Sequence, residues 1–153
     1  MSSFEQSIVV NVPLHTAYNQ WTQFEEFPRF MEGVERVDQL DDTHLHWVAE
    51  IAGKRHEWDA VVTEQHPDER VAWTSTDGKF NAGVVTFRSI SPEETEVTVQ
   101  IMFEPEGVIE KVGDAMGVVE RRTKGDLERF KEFIENRGAE TGAWRGDVQQ
   151  RSA

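Results

Sequence analysis

The sequence predicts an α+β fold in which a curved antiparallel sheet of about seven strands packs against one long C-terminal helix. The helix is predicted over residues 105–137, where apolar residues recur every three or four positions and charged residues, among them Asp126 and Arg129, occupy the solvent side. The sheet is predicted from segments in which apolar and polar residues alternate, as in a strand with one buried face. The apolar stripe of the helix consists of Ile109, Val112, Met116, Val119, Leu127, Phe130 and Ile134.

The first strand is predicted at residues 7–12, which alternate and end at Pro13. Two short helices are predicted next, at residues 14–21 and 24–27. The second ends before Pro28 because proline lacks the backbone N–H that a helix needs. Turn residues then separate further strands, which are predicted at residues 34–40, 43–51, 55–65, 70–75, 80–89 and 95–104.

The strands at residues 43–51 and 55–65 are predicted to form a hairpin around Gly53 and Lys54. Alternation gives this hairpin one apolar face, with His56 beside Ile51, and one largely charged face that meets solvent. The apolar face carries Leu45, Trp47, Ala49 and Ile51 from the first strand and His56, Trp58, Ala60 and Val62 from the second.

Composition excludes several classes of function. The 153 residues carry a formal net charge of −13, which repels phosphate backbones and anionic headgroups, so neither nucleic-acid binding nor membrane insertion is expected. The chain has no cysteine, which excludes thiolate chemistry and cysteine metal sites. No apolar run reaches the length of a membrane span and residues 1–6 lack the layout of a secretory signal, so we expect a cytoplasmic protein, as a monomer or weak dimer.

One domain is expected at residues 1–137, a length that suits a single core. Glycines and scattered polar residues predict a flexible tail at residues 138–153, in which Trp144 stands out. An interaction module that uses the tail around Trp144 is therefore a lesser hypothesis for function.

Five segments carry a family resemblance: residues 7–13, Glu57-Trp58, Val71-Ala72-Trp73, residues 83–87, and the closing run from Glu106-Gly107 through Glu120-Arg121-Arg122 to Phe133. Together they resemble the START/Bet v1-like superfamily, and within it the bacterial polyketide cyclase/dehydrase-like group of SRPBCC proteins, over residues 4–136. The resemblance implies the helix-grip fold, a sheet wrapped around its terminal helix with a deep pocket for an apolar or amphipathic molecule. It implies no single activity, because members include aromatase/cyclases, lipid carriers and quinone-binding proteins.

Three positions separate this chain from the aromatase/cyclases that it resembles. Those enzymes place a serine and an arginine two and four residues after the tryptophan of the Glu-Trp strand, and a tyrosine just after the short helices. Here the three positions are Ala60, Val62 and Val34. The resemblance therefore implies that an aromatase/cyclase-type site is absent, and it leaves open whether the protein is an enzyme.

Large aromatic residues on the inward faces of the predicted strands form either a packed core cluster or the wall of a cavity for a flat, greasy ligand. His56 and Asn81 are polar residues on the same face; His56 is either a rim residue bonded to backbone or a group that contacts the ligand or moves a proton. The candidate ligand-binding residues are Met31, Trp47, His56, Trp58, Trp73, Asn81, Phe87, Phe103 and Met116.

His44 and His46 lie two residues apart on the predicted outer face, but no third ligand is evident, so no metal site is predicted. Nucleophile triads, phosphate loops and nucleotide fingerprints are absent from the sequence, and no cofactor is expected. The sequence favours a protein that binds a lipid, polyketide or isoprenoid-like molecule between the sheet and the terminal helix. The alternative is a cyclase/dehydrase-type enzyme in which His56 acts as acid or base.

Overall fold

The computed structural model describes residues 2–31, 33–51, 54–76, 80–104 and 112–142. Residues 105–111, where the long helix was predicted to begin, lie outside the described residues, and so do the side chains of residues 111–119. The strands are β1 (Ser2–Val10), β2 (Val34–Gln39), β3 (His44–Ile51), β4 (Lys54–His66), β5 (Arg70–Ser75), β6 (Phe80–Ser91) and β7 (Glu94–Glu104). The helices are α1 (Leu14–Trp21), a 3₁₀ helix (Phe24–Arg29) and α2 (Val112–Arg137).

The strands form one antiparallel sheet in the order β1-β7-β6-β5-β4-β3-β2. β1 and β2 thus lie at opposite edges, so the chain between them must cross the sheet, and α1 and the 3₁₀ helix make that crossing. The predicted architecture, a seven-stranded antiparallel sheet with two short helices after the first strand and a long C-terminal helix, is confirmed. No helix within the described ranges is both long and apolar enough to cross a membrane.

The apolar face of the β3–β4 hairpin is the predicted one. Trp47 lies directly opposite Trp58 in the antiparallel ladder. Because cross-strand partners project from the same side of a sheet, the two predicted inward sets meet on one face. The alternation of apolar and polar residues was sufficient to place both sets of side chains on this face.

The turn of the same hairpin was predicted one residue too late. The ladder pair at the turn is Ile51 with Lys54, whereas the prediction centred the turn on Gly53 and Lys54. Moving a turn by one residue moves the register by two, which keeps every side chain on its predicted face. His56 therefore pairs with Ala49, and its predicted place beside Ile51 was wrong.

β1 starts and ends earlier than the predicted residues 7–12. It pairs with β7 along its whole length, and Val10 is its last ladder residue, opposite Thr95. Val12 lies beyond the strand but is buried, and the Thr95 hydroxyl donates a hydrogen bond to its carbonyl oxygen at 2.9 Å. Four of the five strand residues before Ser7 are polar (Ser2, Ser3, Glu5 and Gln6), so the apolar alternation did not indicate a strand there. Pairing with the long β7 explains why they extend it.

The second short helix continues through Pro28, where the prediction ended it. It is a 3₁₀ helix, and the fixed φ of proline is compatible with that geometry. The backbone N–H groups of Phe30 and Met31 donate to the Phe27 carbonyl at 3.1 and 2.8 Å, which completes the turn.

Aromatic rings join the short helices to α2. The ring centroid of Phe130 lies 4.9 Å from that of Trp21 and 5.2 Å from that of Phe30, within the range of favourable aromatic pairs. Leu127, Phe130 and Ile134 are buried, so the C-terminal half of the predicted helical stripe faces the core.

The start of the predicted tail packs against α1. Gln20 is fully buried; its amide nitrogen donates to the Thr141 hydroxyl at 3.0 Å and its amide oxygen accepts the Thr141 backbone N–H at 2.8 Å. Asn19 donates to a Glu140 carboxylate oxygen at 2.8 Å. Residues 143–153, with Trp144, lie outside the described residues, and flexibility of the tail stays a prediction.

Candidate functional site

A cavity of about 140 Å³ lies between the concave face of the sheet, the two short helices and α2. Its described lining is aromatic or aliphatic except for two residues of α2. The lining consists of Trp21, Phe24, Phe27 and Met31 from the short helices and the turn after them, Leu45, Trp47, Val62, Val71, Trp73, Val99 and Ile101 from the sheet, and Thr123, Asp126 and Leu127 from α2.

The floor of the cavity comes from alternate residues of neighbouring strands. Val71 pairs with Val85, and Val85 pairs with Val99, so one row of valines crosses β5, β6 and β7. Val62 enters the floor from β4, where the register shifts between Val62 and Glu64. A bulge of this kind bends the strand, which favours a concave surface over a flat one.

Trp47 forms part of the cavity wall and is held by rings on two sides. Its ring centroid lies 5.7 Å from that of Phe27 and 5.9 Å from that of Trp58, and the two indoles are stacked with an interplanar angle of 3°. The indole N–H of Trp47 is buried and has no hydrogen-bond acceptor among the described residues. A buried donor without an acceptor is costly, so this N–H lowers the stability of the packing around Trp47.

The polar part of the wall belongs to α2. Thr123 and Asp126 are three residues apart and thus lie on one side of the helix. Arg129 forms an ion pair with Asp126, and its Nε donates to the Phe30 carbonyl oxygen at 2.9 Å. The Asp126 side chain is 15% exposed, so the prediction that Asp126 and Arg129 face water was wrong for the carboxylate, which Arg129 neutralises at the cavity wall.

Gln65 is a second buried polar group next to the floor. It is fully buried and pairs across the ladder with Val71, which lines the cavity. Neither atom of its side-chain amide has a hydrogen-bond partner within the described ranges. Gln65 does not itself line the cavity.

His46, one of the two histidines considered as metal ligands, lies on the outer face of the sheet between two carboxylates. His46 Nδ1 lies 2.7 Å from an Asp59 carboxylate oxygen and Nε2 lies 3.1 Å from a Glu57 oxygen; the hydrogen bond to Asp59 first, and that to Glu57 second, raise the pKa of His46. His44 contacts Asp41 instead. In the described part of the chain, no group of three or more His, Asp or Glu residues is arranged to hold a metal ion.

Three of the predicted ligand-binding residues, Met31, Trp47 and Trp73, line the cavity. Phe87 is buried beside α1, with its centroid 5.5 Å from that of Tyr18. Trp58 stacks on Trp47 and does not belong to the described cavity lining.

The remaining predicted residues are distributed as follows. His56 is half-buried opposite Ala49 and is not part of the described lining. Asn81 pairs with Phe103 in the β6–β7 ladder and Met116 belongs to α2, but the side chains of these three lie outside the described residues. Binding by any of the predicted residues stays a prediction.

Sequence reasoning missed Thr123 and Asp126. Thr123 falls midway between Val119 and Leu127, four residues from each, so the helical stripe itself places it inward. For Asp126 the signal is Arg129 at three residues' distance, a spacing at which a helix can pair a carboxylate with a guanidinium.

The positions that separate this chain from the aromatase/cyclases are apolar and inward. Ala60 is fully buried, and Val62 is 2% exposed and lines the cavity. Val34, where the tyrosine would fall, packs against the core. Of these three positions only Val62 belongs to the described cavity lining.

Solved structures and a sequence relative resemble most of the chain. The Zhui aromatase/cyclase from Streptomyces sp. R1128 aligns with a TM-score of 0.77 and 15% identity over 94% of this chain and 99% of that one. A START superfamily protein from Mycobacterium smegmatis aligns with a TM-score of 0.74 and 12% identity over 88% and 97%. At such identities these likenesses show the fold alone, which is the predicted helix-grip fold of START/Bet v1-like proteins.

An uncharacterized 17.2 kDa protein in the melC2-rnhH intergenic region of Streptomyces lincolnensis is 60% identical over 149 residues, which cover 97% of this chain and 99% of that protein. The family model described as "Polyketide cyclase / dehydrase and lipid transport" matches residues 10–132. With a seven-stranded sheet that grips α2 over an apolar cavity, the chain belongs to the polyketide cyclase/dehydrase and lipid transport family.

Proposed function

We propose that the protein binds a hydrophobic or amphipathic small molecule in the cavity between the sheet, the short helices and α2. The observation that carries the proposal is the cavity of about 140 Å³ with its largely apolar lining. At about 24 cal/mol per Å³, an empty cavity of this size costs roughly 3 kcal/mol of stability. A ligand that fills it removes that cost and shields the aromatic wall from water.

The family supports the same function. Its description couples polyketide cyclases and dehydrases with lipid transport, and lipids and polyketides are molecules with much apolar surface. The ligand classes we propose are therefore a lipid, polyketide or isoprenoid-like molecule, bound by a cytoplasmic protein. Binding without turnover agrees with Ala60 and Val62, because neither side chain can donate, accept or transfer a proton.

The enzymatic alternative has less support. It requires His56 to reach the bound molecule, but His56 pairs with Ala49, and neither residue belongs to the described lining. Replacing His56 with alanine should therefore leave ligand binding unchanged. If this variant bound a polyketide substrate but no longer converted it, the enzymatic hypothesis would be supported instead.

Native mass spectrometry of the purified protein, followed by extraction, tests the proposed function. We expect an apolar molecule to co-purify with the parent and to be lost from Val62→Phe, which fills the cavity floor. Val61→Phe is the matched control, because Val61 precedes Val62 on the opposite face of β4 and its change leaves the cavity open. Absence of a bound molecule, together with no binding of toluene, 2-naphthol or dodecanoate, would overturn the proposal.

A further inference from the structure

We infer that the part of the ligand enclosed by the protein is uncharged and no larger than one six-membered ring, and that the Trp73 indole sets this size limit. The inference rests on the proposed function and narrows its ligand class. It draws on the volume of the cavity, on the position of Trp73 in the floor and on the charge of the lining. A larger lipid or polyketide would thus be enclosed only at one end.

The volume of the cavity limits the size of the enclosed group. The cavity holds about 140 Å³. An apolar cavity of about 150 Å³ in another protein binds benzene, whereas pockets for drug-sized molecules hold roughly 300–1,000 Å³. One six-membered ring therefore fills the enclosed space, and a second fused ring must displace part of the wall or stay outside it.

Trp73 is the aromatic member of a row of floor residues that crosses four strands. Val62 of β4 pairs with Trp73 of β5. Gly83 of β6 then pairs with Trp73 on one side and with Ile101 of β7 on the other. Cross-strand partners project from the same face of a sheet, and Val62, Trp73 and Ile101 all line the cavity. Gly83 contributes no side chain, so the space above it is available to a neighbour.

The Trp73 indole occupies the space above Gly83. A Cβ atom added to Gly83 would overlap the six-membered ring of the indole, so this ring lies against the glycine backbone. Trp73 is half-buried, which agrees with a ring that contacts the sheet and also lines the cavity. A smaller side chain in place of the indole would leave the space above Gly83 empty and enlarge the cavity.

The charge of the lining limits the charge of the enclosed group. Asp126 is the one ionisable residue in the described lining, and its ion-pair partner Arg129 does not belong to that lining. An anionic group would lose its hydration on entry and gain no ion pair. A cationic group would find the Asp126 carboxylate already paired with Arg129. The charged end of an ionic lipid would therefore stay outside the cavity.

Calorimetric titration of the full chain with toluene and naphthalene, after removal of any co-purifying molecule, tests the size limit. By apolar area alone, naphthalene should bind several times more tightly than toluene. We expect toluene to bind the parent at least as tightly as naphthalene, because the second ring has no enclosed place. In Trp73→Leu the order should reverse, with naphthalene bound roughly fivefold more tightly.

Phe87→Leu is the matched control, because it removes a buried ring that does not belong to the described lining. This variant should keep the order found in the parent. Trp73→Phe is the smaller change at the tested position. It should shift the two affinities in the same direction as Trp73→Leu, and it replaces that variant if Trp73→Leu does not fold. Because the order compares two probes on one variant, a general loss of stability cancels.

Nitrobenzene and benzoate test the charge limit, since the two molecules have nearly the same shape and differ in charge. We expect nitrobenzene to bind at least about tenfold more tightly than benzoate. Benzylamine, which is protonated at neutral pH, should likewise bind more weakly than benzyl alcohol. If either ion bound as tightly as its neutral counterpart, the enclosed group would not have to be uncharged.

Failure of the inference is distinguishable from failure of the proposed function. Tighter binding of naphthalene than of toluene by the parent would overturn the one-ring limit. An unchanged order in both Trp73 variants, or a reversed order in Phe87→Leu, would overturn the role of Trp73. Failure of every probe to bind a chain that releases an apolar molecule on extraction would overturn the one-ring limit alone. The same failure in a chain that releases no such molecule would remove the proposed function itself.

Discussion

The indole of Trp73 lies across the backbone of Gly83, its cross-strand partner on β6. A Cβ atom built on Gly83 would fall 2.5 Å from Cζ2 of Trp73, far inside van der Waals contact. Glycine in the middle of a strand is otherwise unfavourable, and here it provides the room that the tryptophan occupies. Because Trp73 lines the cavity, Gly83 determines how far the sheet side of the wall extends into it.

Replacing Gly83 with alanine should therefore push the indole out of its place. We expect a loss of about 1–3 kcal/mol in the free energy of unfolding, as for overpacked core sites, together with weaker binding of a single-ring probe. Urea denaturation and calorimetric titration measure the two effects.

Gly125→Ala is the matched control. At this position in α2 the nearest atom to the new Cβ is Nη1 of Arg129, 3.0 Å away. Arg129 needs to shift by only a few tenths of an ångström to keep its contacts with Asp126 and the Phe30 carbonyl, so the free energy of unfolding should change by less than about 1 kcal/mol. If Gly83→Ala proved as stable as the parent and bound the probe equally well, the indole would not depend on Gly83.

The fold was predictable because strand alternation is insensitive to small errors. Placing the hairpin turn one residue late still left Trp47 and Trp58 on one face, since the register changes in steps of two. The extent of β1 was less predictable. Its first residues are polar and are held by their pairing with β7, a distant contact that leaves no local pattern.

The site was predictable only in part, for a related reason. The alternation of side chains along β6 correctly placed Phe87 inward. It could not indicate that α1 covers this end of the sheet and separates the Phe87 ring from the cavity. Thr123 and Asp126 were missed because a polar residue on a helix is ordinarily assigned to water. The ion pair with the neighbouring Arg129 makes an inward carboxylate tolerable.

Glu135 connects α2 to the end of β1. Its carboxylate accepts hydrogen bonds from Lys131 Nζ at 2.6 Å and from the Asn11 backbone N–H at 2.8 Å. Burial alone would raise the pKa of Glu135, but these two donors together lower it below its usual 4.5. A carboxyl whose pKa is lower in the folded state stabilises the fold above the unfolded-state pKa, and this stabilisation is lost as the pH falls.

Glu135→Gln should accordingly be less stable than the parent by about 1 kcal/mol at neutral pH, a value reduced for partial exposure. The difference should narrow as the pH falls below 4.5, measured by urea denaturation at several pH values. Glu132→Gln changes an exposed carboxylate of the same helix and should have little effect at any pH. A difference for Glu135→Gln that grows on acidification would contradict this assignment.

His46 should give the opposite pH dependence. Hydrogen bonds to Asp59 and then to Glu57 raise the pKa of His46 above 6.5, so the folded state favours the imidazolium. Its stabilisation is complete below the unfolded-state pKa and is lost as the pH rises through the higher folded-state pKa. His46→Gln should therefore be clearly less stable than the parent near pH 5.5, and the gap should close in alkaline solution.

Chemical denaturation across this pH range is the measurement, with His15→Gln as control because His15 is exposed on α1. The control should not change the pH dependence. A His46→Gln curve that stays parallel to that of the parent at every pH would show that the two carboxylates do not stabilise a charged imidazole.

Gln20 makes the beginning of the tail part of the fold. Its fully buried amide forms hydrogen bonds with the hydroxyl and with the backbone N–H of Thr141. A chain that ends after Gly142 retains these bonds, whereas a chain that ends after Arg137 leaves the Gln20 amide without them.

Two truncated chains therefore separate the packed part of the tail from the part predicted to be flexible. The chain ending after Gly142 should match the full chain in thermal stability. The chain ending after Arg137 should lose about 1–3 kcal/mol, because an amide buried in α1 must either go unsatisfied or draw water into the contact. Thr141→Ala in the full chain should reproduce a smaller part of this loss, since it removes the hydroxyl and keeps the backbone N–H. Equal stability of both truncated chains would mean that the contact contributes nothing and that the flexible tail begins at Gly138, as the sequence pattern predicts.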